Sequence, residues 1–424
     1  MSINHHLPVS ALTVHWGYFS KLLKPVLSVK SGDIVTIETL THHAGDDFDR
    51  MIKGDEAAES IYKWDCDHQH IARRGAGPTE GNLMRGIGEG HGVHILTGPI
   101  YVEGAAPGDV LEVRILDVYP RPSGNPEYDG NAYGSNVAAA WGFHYHDLIE
   151  APKPREVVTV YEFGGTGNSN WAKAVYNYIW TPQTDPSGVY HPTYNYPGVV
   201  VDPSTVNKNF GILEGIKVPA RLHFGAMGVA PKEVDFASST PPSYTGGNVD
   251  DWRVGKGARM YYPVAVPGAM FSVGDPHAAQ GDSELCGTAI EASLTGVFQL
   301  VLHKANTLAG TALQALDYPL LETDEEWVVH GFSFPNYLAQ LGENADQKVS
   351  EKATIDLAMR DAFRKMRRFL MQTRMLTEDE AISLLSVAVD FGITQVVDGN
   401  WGVHATLKKA LFAEHRNGAK TQII

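Results

Sequence analysis

The sequence predicts an α+β protein, mainly β, with sandwich-like sheets and a helical C-terminal portion. Three observations carry that expectation. Up to about residue 305, short apolar runs are punctuated by Gly, Pro and Asp, as strands and tight turns require. Within that part, two segments echo one another as a turn that launches a strand. Beyond it, the spacing of the apolar positions becomes that of an amphipathic helix.

The echo is Ser31-Gly-Asp33 opening the run Ile34 to Glu38, and Pro107-Gly-Asp109 opening the run Val110 to Leu116. A third strand run, Val93 to Val102, leads into the second turn. The echo is too short for a repeat array and reads as sheet packed on sheet. Residues 1–120 therefore form an N-terminal β region. Residues 121–215 are rich in Gly, Asn, Pro and aromatics, among them Trp141, Phe143, Trp171, Tyr176, Tyr178 and Trp180. Two readings stay open: an insertion held by its own aromatic packing, or a lid or a contact between copies, since aromatics concentrate at interfaces. Residues 216–305 form a second β region, and residues 306–424 an α/β region. In the latter, Ile355, Met359, Ala362, Phe363, Met366 and Leu370 fall on one helical stripe, with Arg364, Lys365, Arg367 and Arg368 as its solvated face. Thr377-Glu-Asp-Glu380 is a capping box that starts a second helix, with Gly392 as its stop.

The composition is that of an ordinary folded protein, 43% hydrophobic and 20% charged. A net charge of −15 repels phosphate backbones and disfavours nucleic acid as a partner. The two cysteines, Cys66 and Cys286, give no disulfide framework. The first residues lack a basic stretch followed by an apolar run, and no run reaches the roughly 18 apolar residues of a membrane span. A cytoplasmic protein is expected, with no membrane partner; a homo-oligomer is the expected assembly.

The segment most suited to chemistry is Asp275-Pro-His277-Ala-Ala-Gln-Gly-Asp282-Ser-Glu284. It holds an Asp/His pair and an Asp/Glu pair, each spaced i, i+2, which in extended backbone points both side chains to one face. If the intervening residues turn the chain back, both pairs converge, as a metal ion with an adjacent general base requires. A solvated turn is the simpler reading, but apolar sequence flanks the segment on both sides, and buried acids demand partners. Gly246-Gly-Asn248-Val-Asp250 sets an amide and a carboxylate at the same spacing, and Glu38 ends an apolar strand, at an edge or in a site. His15 and His94 read as structural histidines, and Asp65-Cys-Asp-His68-Gln-His70 as a charged loop. Cys286 reads as a small buried thiol. No P-loop, dinucleotide fingerprint or serine elbow occurs in a suitable context.

On these residues the chain resembles the acetamidase/formamidase family. The matching stretches are Lys24 to Asp33 with Glu38, Leu96 to Asp109, Met227 to Pro231, Gly246 to Asp250, Gly274 to Glu284, Gln395 to Gly399 and Gly402 to His404. Ser283 stands where the family usually has Gly, and the aromatic insertion lies outside the match. The resemblance implies a largely β fold with a helical C-terminal part, hydrolysis of short linear amides such as formamide or acetamide, and a divalent metal, zinc before others. Carried over, the metal residues are Asp275, His277, Glu38 and Asp250. The catalytic residues are Glu284 as proton carrier, Asn248 at the developing oxyanion, and Asp282. Two rivals stand beside it. One is a non-catalytic β-sandwich module binding calcium, against which His277 speaks. The other is an amidase using Cys286 as nucleophile.

Overall fold

The computed structural model describes residues 3–10, 12–62, 93–128, 130–164, 170–180, 183–184, 190–191 and 205–413. Along the strand Ile34–Glu38, Val35 and Ile37 are fully buried while Ile34, Thr36 and Glu38 are partly covered, the two-residue period of a strand with one face on a core. The turn before it explains the sequence echo. Asp33 accepts hydrogen bonds from the Ile3 and Lys30 amides, both at 2.9 Å; Asp109 likewise accepts from Ala106 at 2.9 Å and Ala305 at 2.8 Å. Each turn needs a left-handed residue before its aspartate, supplied by Gly32 (φ 94°) and Gly108 (φ 95°).

Among the described residues the strands form two large sheets and two short ribbons. The nine-stranded sheet has at its centre the long antiparallel pair Val110–Pro120 and Leu294–His303. It continues through Arg259–Pro263 to the C-terminal strands Glu326–Phe332, Gly402–Lys408 and Val389–Gln395. The twelve-stranded sheet is built around Phe271–Ala279, which pairs with His223–Gly228 along one edge and with Ile290–Ala292 and Ile95–Val102 along the other. One hydrophobic core lies between the sheets: Val35, Val113 and Leu300 from the first meet Ile100, Met227 and Val273 from the second. Phe298 bridges them, its ring 5.2 Å from Phe224 and 6.3 Å from Phe271. This is the expected α+β architecture, a largely β body with helices mainly toward the C-terminus.

The aromatic-rich segment supplies three strands, Ala132–Ala138, Val157–Phe163 and Trp171–Ile179, which extend the larger sheet antiparallel to one another. The helix Ile355–Arg374 lies on the C-terminal strands and buries Ala362, Met366 and Leu370. Two expectations in this part are corrected. Lys365 is not on a solvated face: it is buried, donating to Asp361 at 2.5 Å and to the His330 carbonyl at 3.0 Å, because it lies on the same stripe as Ala358, Ala362 and Phe369 and faces the strand Glu326–Phe332. The capped helix Glu378–Ala388 does start at the Thr377 capping box. It ends without Gly392, which lies inside the strand Val389–Gln395 under the His404 ring, where a Cβ would come within 2.4 Å of Nε2. No helix among the described residues is long and apolar enough to cross a membrane.

Candidate functional site

Every residue of Phe271–Ala279 is buried, so an acid and an imidazole on this strand are held out of water. Asp275 has a left-handed backbone (φ 51°), an interruption that brings its carboxylate against the His277 ring. His277 Nε2 lies 3.2 Å from Asp275 Oδ1 and 3.2 Å from Oε1 of Glu291, its cross-strand partner on Ile290–Ala292. The opposite ring nitrogen, Nδ1, is 3.1 Å from His223 Nε2 and 3.2 Å from Gln280 Oε1. Gln280 in turn donates to the Asp250 carbonyl at 2.6 Å. Gly225 makes room beneath this group: a Cβ there would stand 2.2 Å from Asp250 Oδ1, 2.4 Å from Asp275 Oδ2 and 2.6 Å from His277 Cε1.

Other parts of the chain close the cluster. His42 follows the Ile34–Glu38 strand, with Nδ1 3.8 Å from Asp275 Oδ1; His94 precedes Ile95–Val102, with Nε2 3.7 Å from Asp275 Oδ2. A contact of 2.9 Å between His94 Nδ1 and Ser239 Oγ orients that ring. Asn248 ends the strand Gly246–Asn248, and Asp250 (φ 52°) turns back beneath it. Glu284 is presented by a loop tied to the C-terminal strand, through Ser283 N to Thr394 O at 3.0 Å and Val396 N to Ser283 O at 3.2 Å. Asp398, just past that strand, shares a hydrogen bond with Asp250. These residues line a cavity of about 290 Å³.

The cluster is rich in buried polar atoms left without a hydrogen bond, Asn248 Oδ1, Asp250 Oδ1, Glu291 Oε2 and His42 Nδ1 among them, while His277 Nε2 and Asp275 Oδ1 meet only as an ion pair at 3.2 Å. Such atoms are costly unless something else satisfies them. Three sets of donor atoms lie within 4.8 Å of one another: His42, His94 and Asp275; Asp275, His277 and Glu291; and Asp250, His277 and Glu284. Imidazole with carboxylate is a donor set suited to zinc and related divalent ions.

Burial and crowding set the protonation. Burial, then the neighbouring Asp275, pushes the Asp250 carboxyl up to about 7. Burial, with Asp250 and Asp398 close by, holds Glu284 well above the usual carboxylate range, and Asp398 is raised by burial and Asp250. For Asp275, burial works upward, but His94, His277 and His42 outweigh it and hold the carboxyl well below its ordinary value. His277 is the converse: burial works downward, and Glu291 and Asp275 raise it. Burial, with His43 and His94 beside it, keeps His42 neutral. More acids than cations meet here, an imbalance that protons or a metal cation can relieve.

Of the sequence-predicted residues, the structure brings together Asp275, His277, Asp250, Asn248 and Glu284. It places two elsewhere. Asp282 is half exposed and accepts from Trp252 Nε1 at 2.8 Å. The i, i+2 argument fails for it because Ser283 (φ 84°) and Glu284 (φ 48°) are left-handed, so Asp282 and Glu284 point apart. Glu38 is occupied by Arg121 at 2.8 Å and His6 at 3.0 Å, at the end of a strand paired on both sides. Cys286 sits against the Asn136 amide at 3.2 Å and the Thr288 carbonyl, neither of which can take its proton. The Asp65 to His70 loop lies outside the described residues. The sequence reading missed His42, Glu291 and Asp398 and took His94 as structural. The pair His42-His43 directly after a strand was the available signal, and Asp398 stood in a stretch already matched to the family.

A buried histidine–carboxylate centre on the floor of a cavity, set in a two-sheet α+β body, defines a candidate metal-assisted hydrolytic site. The profile of the Acetamidase/Formamidase family matches residues 89–235 and 233–412, and the chain belongs to that family. It is 31% identical over 222 residues to the acetamidase of Mycolicibacterium smegmatis, covering 46% of this chain and 50% of that protein. It is 32% identical over 219 residues to the formamidase of Methylophilus methylotrophus, covering 46% and 48%. The chain thus spans about half the length of these curated relatives. A crystal structure of an acetamidase from Bacillus halodurans superposes with a TM-score of 0.63 at 21% identity, over 97% of this chain and 99% of that one, a likeness of fold.

Proposed function

We propose that the chain hydrolyses a small carboxamide to a carboxylate and ammonia at this cluster, with a divalent metal ion, zinc before others, as cofactor. The observation that carries it is the convergence of buried imidazole and carboxylate donor atoms around Asp275 and His277, several of them without a hydrogen bond. Asp275, His277 and Glu291 would hold the ion, with His42 and His94 reaching Asp275 from the other side; Asp250 is the alternative carboxylate beside His277. A bound ion would supply Lewis acidity and make water acidic near neutral pH.

The remaining roles belong to the protein. Asn248 presents a carboxamide to the cavity, able to accept from the N–H of a primary amide or donate to its carbonyl oxygen as charge develops there. Glu284, a buried carboxyl on the cavity wall beside Asp250 and Asp398, takes a proton from the attacking water when ionised and hands it to the departing nitrogen. His223 and Gln280 hold the His277 ring in one orientation and join it to the Asp250 backbone. The cytoplasm is the proposed location and a homo-oligomer the proposed assembly.

The test is ammonia release from short, aromatic and cyclic amides, run with and without chelator, beside metal analysis of the purified protein. Release that stops with chelator and returns with zinc is the expected result. Release unaffected by complete metal removal would discard the metal role; no release from any amide would discard the hydrolytic reading.

A further inference from the structure

The cavity is large for the smallest amides. Its volume of about 290 Å³ is well beyond what the four non-hydrogen atoms of acetamide need. Among the described residues that line the space beyond the cluster, with Val93, Thr240, Ser350 and Val397, the one large aromatic is Trp141, 38% exposed, from the aromatic-rich segment. Its ring stands edge-on to Trp180 with centroids 6.4 Å apart, and Trp180 is 6.2 Å from His43.

Trp141 is fixed to the loop that carries Glu284. Its Nε1 donates to the Gly287 carbonyl at 2.8 Å, while the Ala139 and Phe143 amides donate to Cys286 and Leu285 carbonyls, both at 2.9 Å. Two glycines permit that approach. A Cβ on Gly142 would stand 2.4 Å from the Cys286 carbonyl oxygen, and one on Gly287 (φ 114°) would stand 2.9 Å from Trp141 Nε1. The indole is therefore held near Glu284, in the wall of the cavity.

We propose that Trp141 is a specificity-determining residue that selects amides with a flat, uncharged ring as the acyl group, of which benzamide is the simplest. An indole held by its N–H offers a flat apolar contact to a second ring. Asp250, Asp275, Glu284, Glu291 and Asp398 around the cavity are all buried, and a charged acyl group would have to give up its hydration among them. The inference rests on the hydrolytic reading, and its test separates the two.

The experiment compares kcat/KM for benzamide and acetamide in the native protein and in Trp141→Ala and Trp141→Phe, with benzamide binding followed as a rise in Tm. The native protein should favour benzamide about tenfold or more, and Trp141→Ala should lower benzamide turnover at least about tenfold more than acetamide turnover. Trp141→Phe, which keeps a ring, should retain most of the preference. A native protein that turns over acetamide as well as benzamide overturns the inference whether or not the alanine variant folds; so does an equal loss on both substrates. A native protein that binds benzamide but releases no ammonia from any amide overturns the hydrolytic reading and leaves the ring selection standing.

Discussion

Asp250 and Asp251 are adjacent in sequence, both fully buried, and in opposite situations. Asp251 accepts from the Arg253 backbone at 3.0 Å and its guanidinium at 3.1 Å, and lies 3.0 Å from His330 Nε2. Although burial works upward, His330, His404 and Arg253 hold its carboxyl far below the ordinary range. Asp250 keeps one oxygen unpartnered among other acids and is pushed up to about 7. Burial is the same in both; satisfaction is not. The paired aspartate is a structural element of the C-terminal sheet, and the unsatisfied one belongs to a site that expects a ligand.

The largest expected effect sharpens the functional side of that contrast. Glu284→Gln should lower amide turnover by about 10²- to 10⁴-fold while metal content stays at the native level, because only proton transfer is removed. Ammonia release beside metal analysis checks it, and turnover within a few-fold of native would remove Glu284 from the role.

Next come the two aspartates themselves. Asp251→Ala strands His330 and Arg253 in the interior and should cost about 3–5 kcal/mol of folding stability, as for other broken buried pairs. Asp250→Asn should behave oppositely: the metal-free protein loses no stability at pH 7, while metal affinity and turnover fall. Chemical denaturation of both variants decides the matter. Equal destabilisation would erase the distinction.

A pH series tests the same point more gently. Burial and Asp275 push the Asp250 carboxyl up to about 7 in the folded protein, from an ordinary value of 3.8. The stability it contributes is complete below about 3.8 and is lost as pH rises through about 7. A cation can take the place of that proton, so the Tm gap between metal-loaded and metal-free protein should widen from pH 5 to pH 7.5, and widen less in Asp250→Asn. Buried His15 and His223, lowered to about 3 and about 4 chiefly by burial, act in the reverse direction, losing stability as pH falls; they are present in both forms and largely drop out of the difference. A gap independent of pH would show that Asp250 holds no proton.

The smallest effect concerns Glu38. Its ion pair with Arg121 is partly exposed, so Glu38→Gln should cost about 1 kcal/mol or less and leave metal content alone. Loss of metal in this variant would return Glu38 to the site.

The sequence made the central strand of the site legible because Asp275, His277 and Glu284 are close along the chain and flanked by apolar runs. Asn248 and Asp250 were legible for the same reason, as a polar pair after two glycines. Asp282 was misread because parity holds only for extended backbone, and the left-handed Ser283 and Glu284 break it. His42, His94 and Asp398 lie far from residue 275 in sequence and meet it only through sheet pairing and the loop tied to Thr394. Lys365 was misread because its charge suggested solvent, whereas its place between Ala362 and Phe369 on the helix turns it to the sheet, where Asp361 and the His330 carbonyl satisfy it.

The bond between Ser283 and Thr394 has a further consequence. Glu284 and its acidic neighbour Asp398 stand in register only once the C-terminal strand has docked, and His42 comes from near the other end of the chain. A nascent or clipped polypeptide would therefore lack the assembled cluster, which comes into being only as the last strand is laid down.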